Sequence, residues 1–127
     1  KERRFVMSIK FRKIDNKFVI NFREELLRLQ FGRYQNTNMI SLQLYTTGDY
    51  PEPYMTASFN PDLEANYPIL PFLKSRNAMA VKDWSENQGI EQALLDNNVL
   101  IKSIGSVQAG YCKGNIYKVN KEFLGDE

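Results

Sequence analysis

The chain contains no histidine. That removes the commonest general base, the usual partner of a catalytic serine or cysteine, and the commonest transition-metal ligand. It contains one cysteine, Cys112. A lone cysteine closes no internal disulfide, and without histidine it leaves no convincing zinc set. Cysteine this scarce fits a reducing compartment, so the expected localisation is cytoplasmic. No apolar run approaches the roughly 18 residues of a membrane helix, so no membrane association is expected. The first residues, Lys1-Glu2-Arg3-Arg4-Phe5-Val6-Met7, are basic but lack the apolar core of a signal peptide. Neither G-x-x-x-x-G-K-[ST] nor G-x-G-x-x-G is present, so nucleotide-binding loops are unsupported. The reading from these absences is that the chain has no catalytic, cofactor-binding or metal-binding residues.

What is present is an ordinary globular composition, 43% apolar and 25% charged over 127 residues. This length predicts one domain, 1–127, able to bury roughly 65% of its unfolded surface without a metal or disulfide. The net charge of +2 is unevenly placed. Residues 1–33 carry ten Lys/Arg and four acids, for +6, and residues 34–127 carry seven and eleven, for −4. A basic segment of this kind can bind phosphate or an acidic partner. The plainer alternative is the solvated face of a hairpin and a helix.

Alternation predicts a β-hairpin over about 8–22. Ile9 and Phe11 oppose Lys10 and Arg12, Asp15-Asn16-Lys17 supplies turn residues, and Phe18, Ile20 and Phe22 return. Arg23–Gln30, with Leu26, Leu27 and Leu29, reads as a short helix or as continued extended chain, the helix preferred. Ile40, Leu42 and Leu44 alternate with Ser41, Gln43 and Tyr45, a half-buried strand. Tyr54–Phe59 alternates again and is expected to pair antiparallel with it. Pro51 and Pro53 in the link rule out a tight two-residue turn. The stretch 60–77 holds Pro61, Pro68 and Pro71 among Tyr67, Ile69, Leu70, Phe72 and Leu73. It predicts an apolar loop that packs across the sheet or covers a partner. Ala78–Val81 reads as a strand whose small residues suit close approach of a helix.

Ser85 is the predicted helix start. In Ser85-Glu86-Asn87-Gln88 its hydroxyl can accept from the Gln88 amide and the Gln88 side chain can reach back, a capping box. Glu86 favours the positive end of the helix dipole. Ile90, Ala93 and Leu94 follow at helical spacing, and Asn97 and Asn98 can close the helix with a left-handed residue. Leu100–Ile104 and Gly110–Val119 are final strands, with Gly105, Gly110 and Gly114 marking bends or bulges. The fold class is therefore α+β, a mostly antiparallel sheet with one principal helix.

Three groups could carry chemistry. Asp83 and Glu86 flank Trp84 as an acid pair beside an aromatic platform, though a first-turn role with Trp84 in the core is the stronger reading. Cys112 stands beside Lys113, which can lower a thiol pKa, yet without histidine it reads as an inert buried strand residue. The seven tyrosines are different, because tyrosine is enriched at interfaces. Tyr45, Tyr50 and Tyr54 bracket one proline-containing loop, and with Tyr67 and Phe72 they are the candidate partner-binding residues.

The strand Ile40-Ser41-Leu42-Gln43-Leu44-Tyr45 is followed by Glu52-Pro53-Tyr54-Met55-Thr56-Ala57-Ser58-Phe59. Next come Ala80-Val81-Lys82-Asp83-Trp84-Ser85-Glu86-Asn87-Gln88-Gly89, the helix end at Leu94–Val99, and Ser106-Val107-Gln108-Ala109-Gly110-Tyr111-Cys112. In these elements the chain resembles an uncharacterised bacterial family of domains of unknown function. Its members occur in conjugative elements, plasmids and phages of gut bacteria. The resemblance spans about residues 38–119. A Gly-Arg that often precedes the Ser-Gly-Tyr/Phe element in that family is absent here, where Ile104-Gly105-Ser106 stands. The resemblance implies no activity and no catalytic residues. It implies a mobile-element setting, where small proteins often bind host or element proteins, inhibitors of host defence among them.

The function read from the sequence is a non-enzymatic, protein-binding accessory factor of a mobile genetic element, an inhibitor of host defence being one form of it. The alternative is a nucleic-acid-binding module using Lys10, Arg12 and Lys17 of the basic hairpin. The −4 balance over residues 34–127 weighs against that alternative.

Overall fold

The computed structural model describes residues 12–14, 17–62 and 77–124. It contains two antiparallel sheets. The first is a meander of β1 (Arg12–Ile14), β2 (Lys17–Phe22), β3 (Glu25–Arg33), β4 (Ile40–Thr46) and β5 (Pro53–Thr56), in that spatial order. The second comprises β6 (Ser58–Phe59), β7 (Ala78–Val81), β8 (Leu100–Ala109) and β9 (Cys112–Val119), in the order β6-β7-β9-β8. Among the described residues there is one α-helix, α1 (Ile90–Asp96). The fold is α+β and mostly antiparallel, with the helix packed on the sheets.

The hairpin β1–β2 is present, with Ile14 opposite Lys17 and Arg12 opposite Val19. Residues 8–11, 15 and 16 of the predicted hairpin lie outside the described residues. The helix preferred over Arg23–Gln30 is not there. Arg23 and Glu24 form a two-residue turn between the paired Phe22 and Glu25, and β3 follows. Both turn residues have positive φ, 55° and 64°, as a type I′ hairpin requires. Neither is glycine, asparagine or aspartate, so the usual signature of such a turn is missing. Tertiary contacts hold the strained turn instead. The Arg23 guanidinium lies 4.5 Å from the Phe22 ring centroid and donates to the Gln88 carbonyl at 2.7 Å. Beyond the turn Leu27 and Leu29 are buried while Arg28 and Gln30 face outward. Alternation under a sheet outweighs the helix propensity of Glu, Leu and Arg here.

Strand β4 is as predicted, with Ile40, Leu42 and Leu44 buried. Its partner is divided. Tyr54–Phe59 is two short strands, β5 and β6, separated by Ala57. The Ala57 amide donates to the Leu42 carbonyl at 2.9 Å, and its own carbonyl accepts from the Lys82 amide at 2.8 Å. One residue thus joins β4 of the first sheet to the chain leaving β7 of the second. The alternation changes phase at this point, so Ala57 and Ser58 are both buried. Ser58 is tolerated because its Oγ accepts from the Leu42 amide and pairs with the Tyr34 hydroxyl, each at 2.9 Å.

The larger core joins both sheets and the helix through Leu27, Leu42, Leu44, Met79, Ile90 and Leu94, among others. A smaller cluster gathers Met39, Ala78, Ala80, Val107 and Ile116. Strand β7 lies between the two, Met79 and Val81 facing the first and Ala78 and Ala80 the second. Hence all four residues are buried, which is why the run is uniformly apolar. The small residues of β7 therefore meet Met39 and Ile116, and not the helix that the sequence predicts there. Of the apolar loop predicted over 60–77, residues 63–76 lie outside the described residues.

The helix does not begin at Ser85. Ser85–Asn87 is a single 3-10 turn, Ser85 has a φ of 56°, and neither half of a capping box forms. Helix α1 starts at Ile90 behind Gly89, whose φ of 101° reorients the chain. The side chain that meets this end is Asp83, whose Oδ1 accepts from the Gly89 amide at 2.6 Å. Glu86 is exposed and pairs with Lys82 at 3.8 Å instead of serving the helix. The capping energy therefore belongs to Asp83. Asp83→Ala is expected to lower stability by about 1 kcal/mol, and Ser85→Ala to stay within about 0.5 kcal/mol. Urea midpoints of the two variants check this, and the reverse ranking would refute it.

The other end of the helix is as expected. Asn98 is left-handed at a φ of 62°, and the Val99 and Asn98 amides donate to the Leu94 and Leu95 carbonyls. This is the Schellman pairing, with asparagine in the place glycine usually takes. Beyond β9, Phe123 packs 4.5 Å from Phe18 and 6.1 Å from Phe31 between ring centroids, tying the end of the described chain to the first sheet.

Candidate recognition surface

Three of the five candidate partner-binding residues lie in the described structure, and the fold brings them to one end of the first sheet. Tyr45 is on β4, opposite Arg28 on β3 and Pro53 on β5. It is half-buried, with the Arg28 guanidinium 5.2 Å from its ring centroid. Leu44 pairs with Met55 and Tyr45 with Pro53, so Tyr54 is an extra residue at a register shift. A bulge of this kind turns a side chain outward, and Tyr54 is 37% exposed.

Tyr50 sits in the β4–β5 loop and is 88% exposed. The loop does not hang free. The Thr46 amide donates to the Glu52 carbonyl and the Glu52 amide to Thr46 Oγ1, both at 2.9 Å, and Thr47 Oγ1 donates to the Leu26 carbonyl at 3.2 Å. An exposed aromatic thus stands on a loop with an anchored base. Leu27 pairs with Thr46, so the Arg23-Glu24 turn lies at this end too. The exposed residues there include Glu24, Glu25, Asp49 and Glu52. Against them stand Arg23, which is engaged with Gln88, and Arg28, which lies over the Tyr45 ring.

Tyr67 and Phe72 lie outside the described residues, as does Lys10. Arg12 and Lys17 occupy backbone positions in β1 and β2. Other tyrosines serve the fold. Tyr34 bonds Ser58. Tyr117 is buried and donates to Glu91 Oε2 at 2.5 Å, an oxygen that also accepts from Asn115 Nδ2 at 2.9 Å. Burial first, then the Glu91 hydrogen bond and the negative charges of Glu91 and Asp83, push the Tyr117 phenol up to about 12. It is therefore a neutral donor throughout the physiological range.

The Asp83/Trp84/Glu86 group is structural in its contacts. Asp83 bonds Gly89, and Glu86 pairs with Lys82. Trp84 is half-exposed rather than in the core, its ring tilted 59° against Phe59 at 5.4 Å. Cys112 lies on β9 and is half-buried rather than buried.

The sequence reading did not single out Tyr111 for an exposed role. It is fully exposed at the two-residue turn between the paired Ala109 and Cys112, with Gly110 at a φ of 63°. The pair Gly110-Tyr111 between two alternating runs was the available signal. Among the described residues no helix is long and apolar enough to cross a membrane. No family model, curated protein or solved structure matches the chain.

Proposed function

We propose that this chain is a non-enzymatic protein-binding factor that engages its partner through Tyr50, Tyr54 and Tyr45 at the β4–β5 end of the first sheet. The observation that carries the reading is Tyr50, a large aromatic ring almost wholly in solvent on a loop whose base is fixed by three hydrogen bonds. Tyrosine offers apolar area with few rotatable bonds, so a pre-ordered tyrosine loses little entropy on docking. Tyr54 extends the same surface, and the Arg28–Tyr45 contact stiffens its floor. Glu24, Glu25, Asp49 and Glu52 at this end would repel a phosphate backbone, which favours a protein partner over nucleic acid here. The mobile-element setting, and with it an inhibitor of host defence, rests on the resemblance over residues 38–119, and the cytoplasmic location rests on the single cysteine.

The test is affinity capture from a host bacterial lysate with the unaltered chain and with a Tyr50→Ala/Tyr54→Ala variant. Titration of the purified partner follows. Loss of two anchors is expected to weaken the complex more than tenfold, since central aromatics carry most interface energy. An unchanged dissociation constant would remove this surface from the proposal. Turnover of a small-molecule substrate by the purified chain would remove the non-enzymatic reading.

A further inference from the structure

An open antiparallel sheet ends in strands with one unpaired row of backbone donors and acceptors, and proteins blunt such edges by shortness, charge, proline or bulges. Among the described residues the first sheet ends in β1 and β5, and the second in β6 and β8. Strand β1 has three residues and carries Arg12 and Lys13, β5 has four and begins with Pro53, and β6 has two. Strand β8 differs. It has ten residues, no proline and one charge, Lys102. Its register against β9 shifts between Leu100 and Lys102 and again between Ser103 and Gly105, which spoils that part of the edge. Residues 105–109 remain, a regular and uncharged edge segment.

The turn fixes which backbone groups of this segment face outward. Gly110 has a φ of 63° and Tyr111 a negative one. Positive φ at the first central position alone marks a type II′ hairpin turn, closed by the Ala109 carbonyl accepting from the Cys112 amide. Hydrogen-bonded and non-hydrogen-bonded pairs alternate from there along the ladder. Val107–Gly114 and Gly105–Ile116 fall in the bonded class, Ser106–Asn115 and Gln108–Lys113 in the other. The backbone N–H and C=O groups of Ser106 and Gln108 therefore point away from β9, toward the open edge. They lie symmetrically about Val107, which is also the middle of the regular segment.

We propose that residues 105–109 of β8 pair with the same segment of a second copy of this chain, antiparallel and about a two-fold axis at Val107. Ser106 of each copy then stands opposite Gln108 of the other, and the two pairs exchange backbone hydrogen bonds across the axis. A two-fold contact requires this self-complementarity, and the segment has it both in its outward groups and in its length. The pairing uses the Gln108 backbone, since its side chain already donates to the Gly110 carbonyl at 3.3 Å. Charge agrees. Residues 105–109 carry none, and Lys102 and Lys113 lie outside the paired segment, so no like charges oppose each other. The register also takes the Gly110-Tyr111 turn of one copy past Gly105 of the other, alongside Ile104 and Ser103. Ile101, Lys102 and Ser103 are all exposed there, which leaves room for the turn. Tyr111 and Ile101, two of the exposed large apolar side chains, thus gather at the same end of the pairing. This edge is separate from the tyrosine end of the first sheet, and the proposal does not depend on that one.

So short an edge buries less than the roughly 1,000 Å² of a stable interface, and the dimer should be weak, with a dissociation constant above about 1 μM. The experiment is sedimentation velocity of the full chain from about 1 μM to 1 mM, where a concentration-dependent shift from monomer to dimer is expected. Three variants follow, each first shown to unfold cooperatively. Ser106→Pro removes an outward amide while leaving the hairpin's own hydrogen bonds, and should weaken the dimer at least about tenfold. Ser106→Lys/Gln108→Lys opposes like charges twice across the axis and should weaken it at least about fivefold. Ser106→Lys/Gln108→Glu sets lysine opposite glutamate twice, and should dimerise as well as the unaltered chain or better. The two charge variants lose the same Gln108 side-chain bond, so their difference reads the register, and they carry the test if Ser106→Pro does not fold. A chain that stays monomeric throughout leaves the edge to a strand of another protein and overturns the proposal. A dimer unchanged by Ser106→Pro overturns it too, as does a Lys/Glu variant as weak as the Lys/Lys one. So does a dimer lost in the Tyr50→Ala/Tyr54→Ala variant but kept in these three.

Discussion

Leu94→Ala is expected to lower the free energy of unfolding by about 2–5 kcal/mol. Leu94 is fully buried, and with Ile90 it supplies the buried residues of α1. A seven-residue helix is far too short to persist alone in water, so its stability comes from this face. The two side chains enter the core where both sheets contribute, beside Met79, Val81 and residues of β2 and β3. Truncation removes most of the apolar area of Leu94 and leaves a cavity walled by strands that cannot close on it. The Leu94 carbonyl also accepts from Val99 in the helix terminus, so loosening there reaches β8. A urea titration with an unchanged m-value would report the loss directly. The comparison is Gln92→Ala, an exposed change on the opposite face, expected to stay within about 0.5 kcal/mol. A loss under about 1 kcal/mol for Leu94→Ala would mean that the helix is not held as described.

Gly114→Ala should cost about 1–3 kcal/mol, although alanine has the better intrinsic propensity. Backbone freedom is not the reason. A Cβ at residue 114 would lie 2.3 Å from Phe59 Cε1, 2.6 Å from Cζ and 3.0 Å from the Val81 carbonyl oxygen. The ring cannot simply swing away, because Trp84 packs 5.4 Å from it, and the carbonyl belongs to β7. The strain should therefore couple to Phe59. In a double-mutant cycle, Gly114→Ala with Phe59→Ala should be less destabilising than the sum of the singles by at least about 0.5 kcal/mol. Additive effects would show that the ring is not what limits this position.

Both predictions rest on contacts between segments distant in sequence, and this marks how far the sequence could be read. Strand β4 was legible because Ile40, Leu42 and Leu44 need only a local period of two. The helix terminus at Asn97-Asn98 was legible because a left-handed asparagine is a local choice. The start of the helix was not. Ser-x-x-Gln is a valid local signal, but Asp83 reaches the Gly89 amide once β7 has placed it there. The Arg23-Glu24 turn carried no turn residue, and its positive φ values are held by Phe22 and by Gln88, sixty-five residues away. Tyr45, Tyr50 and Tyr54 are legible in the sequence, whereas the exposed turn position of Tyr111 follows from the pairing of Ala109 with Cys112.

The sequence by itself determined the α+β class, the antiparallel pairing of β4 with the strand after it, and the apolar face of α1. Each depends on periodicity, and periodicity is a property of neighbours along the chain. The tertiary structure alone decided that Ala57 joins two sheets, that β7 is buried on both faces, that Asp83 rather than Ser85 meets the helix, and that Lys102 stands opposite Lys118 across β8–β9. Those outcomes depend on which distant segments pair, because burial and charge act through space and sum over whatever the pairing brings together.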